Sequence, residues 1–114
     1  MQLERQDFGE AIMITVDEAR IDAAIAIQFK DSVREMAGDA PARVILDMTK
    51  VEFLDSSGLG AVVAVMKQLG GDRALELAGL TPTVEKVFQL TRMDSVFAIH
   101  KDTSAAVSGL AHAS

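Results

Sequence analysis

Two periods of apolar residues alternate along the chain, and they set out its elements. Ala11–Val16 (AIMITV) is short, apolar and partly β-branched, which predicts a strand. A weaker strand is expected around Leu3 to Phe8, with Gly9–Glu10 as the turn between them. Ile25, Phe29, Val33 and Met36 then recur at helical spacing, with Asp22 as the expected N-cap and Gly38 as the stop. Ala42–Asp47 reads as a strand buried on both faces, and Val51–Leu54 carries on its apolar material. A helix is predicted from Ser57 to Leu69, ended by Gly70–Gly71, and a strand over Ala74–Ala78. Thr81–Pro82 opens a short helix whose face is Val84, Val87, Phe88 and Thr91. Val96–Ile99 reads as a last strand, Asp102–Thr103 caps an Ala-rich helix, and the final Ala-His-Ala-Ser is expected to fray. The order β-β-α-β-α-β-α-β-α implies an α/β fold: one mixed, mostly parallel sheet of four to five strands carrying about four helices.

Composition narrows the function classes. The 114 residues fit a single domain, 1–114, and 49% of them are hydrophobic, enough for a core without staples. Cysteine is absent, which removes thiolate catalysis and cysteine metal sites. A net charge of -6 with no Lys/Arg cluster longer than two argues against nucleic acid as a partner. Tyr and Trp are absent as well, leaving only Phe for stacking platforms. The charged start lacks an apolar signal region, and no run approaches the roughly 20 apolar residues that span a bilayer. The expectation is a cytoplasmic protein without membrane insertion.

The stretch Asp55-Ser-Ser-Gly-Leu-Gly60 concentrates the candidate chemistry. In the helix behind it, Leu59, Val62, Val63, Met66 and Leu69 form the stripe expected on the sheet. The opposite side carries Ala61, Ala64 and Val65, with Lys67 and Gln68 as its only polar residues. Such an apolar back implies either deeper burial or an exposed protein-binding patch, and the patch is favoured in so small a domain. Gly58 and Gly60 each weaken the helix by about 1 kcal/mol relative to Ala. They either ease the strand-to-helix turn or clear space beside the hydroxyls.

Three uses of the serines compete. A nucleophile needs a base, yet the only histidines are His100, at a strand end, and His112, in the tail. The Gly-x-Ser-x-Gly elbow and the completed phosphate-loop patterns are absent, and Asp47, Glu52 and Asp55 lack metal-ligand spacing. A cap is the second use, for Asp55 or Ser56. A phosphoacceptor is the third. A helix N-terminus tolerates a dianion well, whereas a partner covering that spot must bury it.

Val44-Ile-Leu-Asp-Met-Thr-Lys-Val-Glu-Phe-Leu-Asp-Ser-Ser-Gly-Leu-Gly60 resembles the signature of STAS domains, specifically the bacterial anti-sigma factor antagonists. The likeness runs on through Leu75-Glu-Leu-Ala-Gly-Leu80 and Val84–Leu90, and covers nearly the whole chain. Ala19-Arg-Ile-Asp22 is similar to the family's Gly-x-Leu-Asp loop, with Ala19 in place of glycine; Leu90-Thr-Arg-Met-Asp94 stands where Leu-Thr-Gly-Leu-Asp is usual. The resemblance implies a non-enzymatic partner switch. The dephosphorylated domain binds an anti-sigma factor that is itself a serine kinase of the histidine-kinase-like ATPase type, and so frees a sigma factor. The kinase modifies the second serine, here Ser57, with Ser56 as the alternate, and a metal-dependent serine phosphatase resets it. ATP and Mg belong to the kinase, so the domain needs no cofactor. Asp22 is implied near the phosphosite, and Gly58, Leu59 and Gly60 at the interface, together with Asp55, Ser56, Ala61 and Ala64 around them. The alternative is a STAS module with another output, such as a secretion or biofilm switch or a lipid-transporter accessory subunit.

Overall fold

A computed structural model describes residues 1–39 and 42–108. The strands are β1 (Leu3–Asp7), β2 (Ala11–Val16), β3 (Arg20–Ile21), β4 (Arg43–Asp47), β5 (Phe53–Leu54), β6 (Ala74–Ala78) and β7 (Ala98–His100). The helices are α1 (Ala26–Ala37), α2 (Ser56–Leu69), α3 (Pro82–Leu90) and α4 (Thr103–Val107), with a 3-10 turn at Met93–Ser95. The tail expected to fray, Ala111–Ser114, lies outside the described residues.

Five strands form the main sheet in the order β1-β2-β4-β6-β7, and β1 alone runs antiparallel. Period-two alternation divides its residues between two faces. On one face Ile12, Ile14, Val44, Leu46, Leu75 and Leu77 meet α1, α2 and α3 in the main core. Here Phe29 and Val33 of α1 and Val84 and Phe88 of α3 are fully buried, each worth about 1.5–3 kcal/mol of transfer free energy. Phe97 completes the α3 side by meeting Phe88 edge to face, with centroids 5.9 Å apart. The other face holds a smaller cluster, Ala11, Met13, Ile45, Ala78 and Ala106, under the short α4. The central strand β4 is therefore buried on both sides, as its apolar run predicts.

Several expectations shift. The last strand is Ala98–His100 rather than Val96–Ile99, because Phe97 turns into the core while Val96 is left 46% exposed. The face of α2 is also rotated from its expected stripe. Ala61 and Val65 are buried, and Val63 and Met66 are only half-buried. α1 lies alongside α2, so α2 must face both the sheet and a neighbouring helix. Most of the expected exposed patch is therefore inside the fold. Arg92 sits in the left-handed region at φ 62, which costs a side-chain-bearing residue about 1–2 kcal/mol. Ala19 shows no such conformation, so its loop does without a glycine.

The second face also contains the one buried charged residue among those described, Glu76. Its carboxylate accepts two 2.6 Å bonds from Arg43 and one of 2.7 Å from the His100 Nε2–H. Arg43 also donates to the Ala106 carbonyl, tying α4 to the sheet. The Arg43 bonds hold the Glu76 carboxyl below the usual carboxylate range, with His100 adding to the effect and burial opposing it. A carboxyl lowered in this way stabilises the fold above its unfolded value of about 4.3 and loses that contribution as pH falls below it. Glu76→Gln should lower stability at pH 7 by roughly 2 kcal/mol and flatten the acid limb of a urea-midpoint profile between about pH 5 and 3. An acid limb as steep as the parent's would show that Glu76 contributes nothing to it.

Candidate functional site

The motif is placed by two very short strands. β3 and β5 pair in parallel, Arg20 with Phe53 and Ile21 with Leu54. Arg20 also lies over the Phe53 ring, 4.2 Å from its centroid. This pairing sets the segment before α1 beside the start of α2, at the end of the main sheet. Asp55 then joins the two. Its Oδ1 accepts 2.9 Å from the Gly58 N–H, as the N-cap of α2, and its Oδ2 accepts 3.2 Å from the Ala23 N–H.

Asp22 does not cap α1 as expected. Its side chain accepts from the Ala24 N–H and its carbonyl from the Ile25 N–H, forming a turn that leads into a helix beginning at Ala26. The Ala23 amide is already held by Asp55, so the chain turns once more before the helix can start. The cap of α2 is Asp55 alone. Ser56 is the first helical residue and Ser57 the second, and both residues are exposed. The backbone N–H groups of both serines have no acceptor among the described residues.

The two glycines have different surroundings. Gly58 is buried against β3, and a Cβ there would overlap the Ile21 carbonyl oxygen. Gly60 faces open space. Gly58 and Leu59 thus shape the site from beneath, while Ser56, Ser57 and Gly60 lie on its surface. Ala61 and Ala64 line one wall of a groove of about 360 Å³, continuing the stripe of Ser57 and Gly60 at i, i+3, i+4 and i+7. The other wall is Ala23, Ala26, Ile27 and Lys30, at the same spacing from the turn before α1 into its first turn. Ile27 is 72% exposed. What remains of the expected patch is this groove between two helices. The sequence reading missed the α1 wall, which exists only because the two helices pack side by side.

His100 lies elsewhere. It projects from the face of the sheet opposite α1 and α2, where its Nε2 is engaged by Glu76. Asp47 is likewise occupied, accepting from the Thr15 and Thr49 hydroxyls. Among the described residues, no group of three or more potential ligands is arranged to hold a metal, and no helix is long and apolar enough to cross a membrane.

The profile of the STAS domain matches residues 2–106, the motif and both walls of the groove included. The chain belongs to the STAS domain family. A STAS-domain containing protein of Pseudomonas aeruginosa is 28% identical over 92 residues, covering 80% of this chain and 89% of that one. The anti-sigma-F factor antagonist RsfB of Mycobacterium tuberculosis is 23% identical over 90 residues, covering 79% and 74%. An anti-sigma factor antagonist from Mycobacterium paratuberculosis superposes with a TM-score of 0.83 at 22% identity, over 96% of this chain and 92% of that one. Bacillus SpoIIAA has been solved unphosphorylated and phosphorylated. The two forms give TM-scores of 0.67 and 0.66 at 20% and 22% identity, over 94% of this chain and 95% and 97% of theirs. At such identities these likenesses establish the STAS fold.

Substituting the two glycines should have effects of opposite sign. Gly58→Ala must push α2 off β3 and should cost roughly 2–3 kcal/mol in denaturant unfolding. Gly60→Ala, with open space and better helix propensity, should gain up to about 1 kcal/mol. Equal effects at both positions would contradict the placement of Gly58 against Ile21.

Proposed function

We propose that this STAS domain is an anti-sigma factor antagonist working by partner switching, with Ser57 as its phosphoacceptor. The observation that carries the reading is the position of the Ser57 hydroxyl. It is exposed on the second residue of a capped helix, at the lip of an apolar groove, with the only described histidine on the opposite sheet face. Among the described residues no histidine stands beside it to act as a base, and it is open to a partner's active site. The names of relatives such as RsfB support the role, as does the existence of SpoIIAA in both phosphorylation states.

In this reading the dephosphorylated domain docks a serine-kinase anti-sigma factor on the surface around Ser57, and a sigma factor is released. The contact surface comprises the Asp22 loop, Ser56, Gly60, Ala61 and Ala64, held in place by Asp55, Gly58 and Leu59. The Ser57 oxygen attacks the γ-phosphorus of the kinase's ATP; the bond to ADP breaks, and the hydroxyl proton passes to the kinase. The product is a dianion at a helix N-terminus, which the domain itself tolerates because the dipole and free N–H groups favour it. A partner pressed over the groove would have to desolvate that charge, so it leaves. A serine phosphatase restores the hydroxyl.

Ser57→Ala should bind the cognate kinase whether or not ATP is present, and Ser57→Glu should bind at least about tenfold more weakly, a difference of ~1.4 kcal/mol. Titration calorimetry with the purified pair measures both. If the kinase still phosphorylates Ser57→Ala at the normal rate, the acceptor is not Ser57, and Ser56 takes its place.

A further inference from the structure

The groove contains a cation that the switch as described does not use. Lys30 lines it together with Ser57, and no carboxylate among the described residues is in ion-pair contact with it. The neighbouring charges are already engaged. Asp31 pairs with Arg34 at 3.7 Å, and Arg20 is held by Asp22 and by the Phe53 ring. Asp55 accepts from two amides.

The layout of the groove gives Lys30 a direction. α1 and α2 follow parallel strands, so their N-termini lie at the same end of the sheet, and the Asp55–Ala23 bond aligns them there. Side chains of a helix lean toward its N-terminus. Lys30, one turn into α1, stands at the other end of its wall from Ala23, and the general lean of helical side chains is toward the Ser57 end of the groove. Gly60 leaves that path open, and the facing walls are alanines.

We propose that Lys30 is the resident counter-ion of a phosphoserine at position 57, and that its ammonium crosses the groove to reach the phosphate. This rests on Ser57 being the modified residue. Modification then does two things at once. It charges the rim, and it draws the Lys30 stem across the apolar walls that a partner would occupy. The groove is open when Ser57 is free and roofed when it is phosphorylated, with no change in the fold. Four charged groups stand on the segments that flank Ser57. Asp22 and Asp55 raise the second pKa of the phosphate, Lys30 lowers it, and Arg20 contributes less because Asp22 shares it.

The test uses the 114-residue chain with phosphoserine installed at position 57 during synthesis, so it needs no kinase. Phosphorus NMR follows the second ionisation of the phosphate, ordinarily near 6. In Lys30→Gln the second pKa should lie roughly half a unit above that of the parent, and Lys30→Arg should restore the parent value. Lys67→Gln, at the far end of α2, should change nothing. The Ile27 methyl signals should move on phosphorylation in the parent and stay in place in Lys30→Gln. Identical titrations in the parent and in Lys30→Gln, or an equal shift from Lys67→Gln, would overturn the proposal. A kinase that never modifies Ser57 would instead defeat the switch reading and leave the titration result standing.

Discussion

The site depends on a single carboxylate that serves two segments. One Asp55 oxygen caps α2 and the other holds the amide of Ala23, and neither bond is possible unless β3 lies beside β5. Two pairs of residues make up that small sheet. They suffice because Gly58 lets α2 approach until it touches the Ile21 carbonyl. A cap is ordinarily worth about 1 kcal/mol of helix stability. Here the same group also fixes the distance between two helix starts, and with it the width of the groove. The surface around Ser57 is thus built before any partner arrives, and little ordering entropy is left for binding to supply.

The main sheet separates the buried charge cluster from the proposed switch site. Its α1–α3 face carries the large apolar core and, at its rim, the serines. Its other face carries the Glu76–Arg43–His100 cluster and the short α4. The buried charge and the described histidine therefore take part in holding α4 rather than in any chemistry at Ser57. A phosphate added at an exposed helix start lies remote from that cluster. The proposed switch would alter what the rim presents while the core remains as it was.

The long elements were legible because their signals are local. β2 and β6 have the expected bounds, and α2 begins one residue earlier than its pattern suggested. Strands β3 and β5 are too short to show a period, and their pairing is a tertiary event. The start of α1 was misjudged for the same reason. Asp22 has the side chain of a cap, but the amide of Ala23 is claimed by a residue 32 positions away. The rotated face of α2 has a similar origin: a hydrophobic stripe reports the sheet, whereas Ala61 and Val65 are buried where α1 packs alongside. Ser57 and Gly60 could be picked out from the motif. Ala23, Ile27 and Lys30 could not, since nothing in the motif says which helix lies across from it. Arg92, in the left-handed region, shows how a local rule can be broken where the turn after α3 demands it.

The central claim is that Asp55 orders both helix starts together, and residue-resolved amide exchange in Asp55→Ala tests it most directly. Exchange should accelerate in concert at Gly58 and at Ala23, while the amides of β4 and β6 keep their protection. Acceleration at Gly58 alone, with Ala23 unchanged, would mean that Asp55 only caps α2 and that the groove is held open by something else.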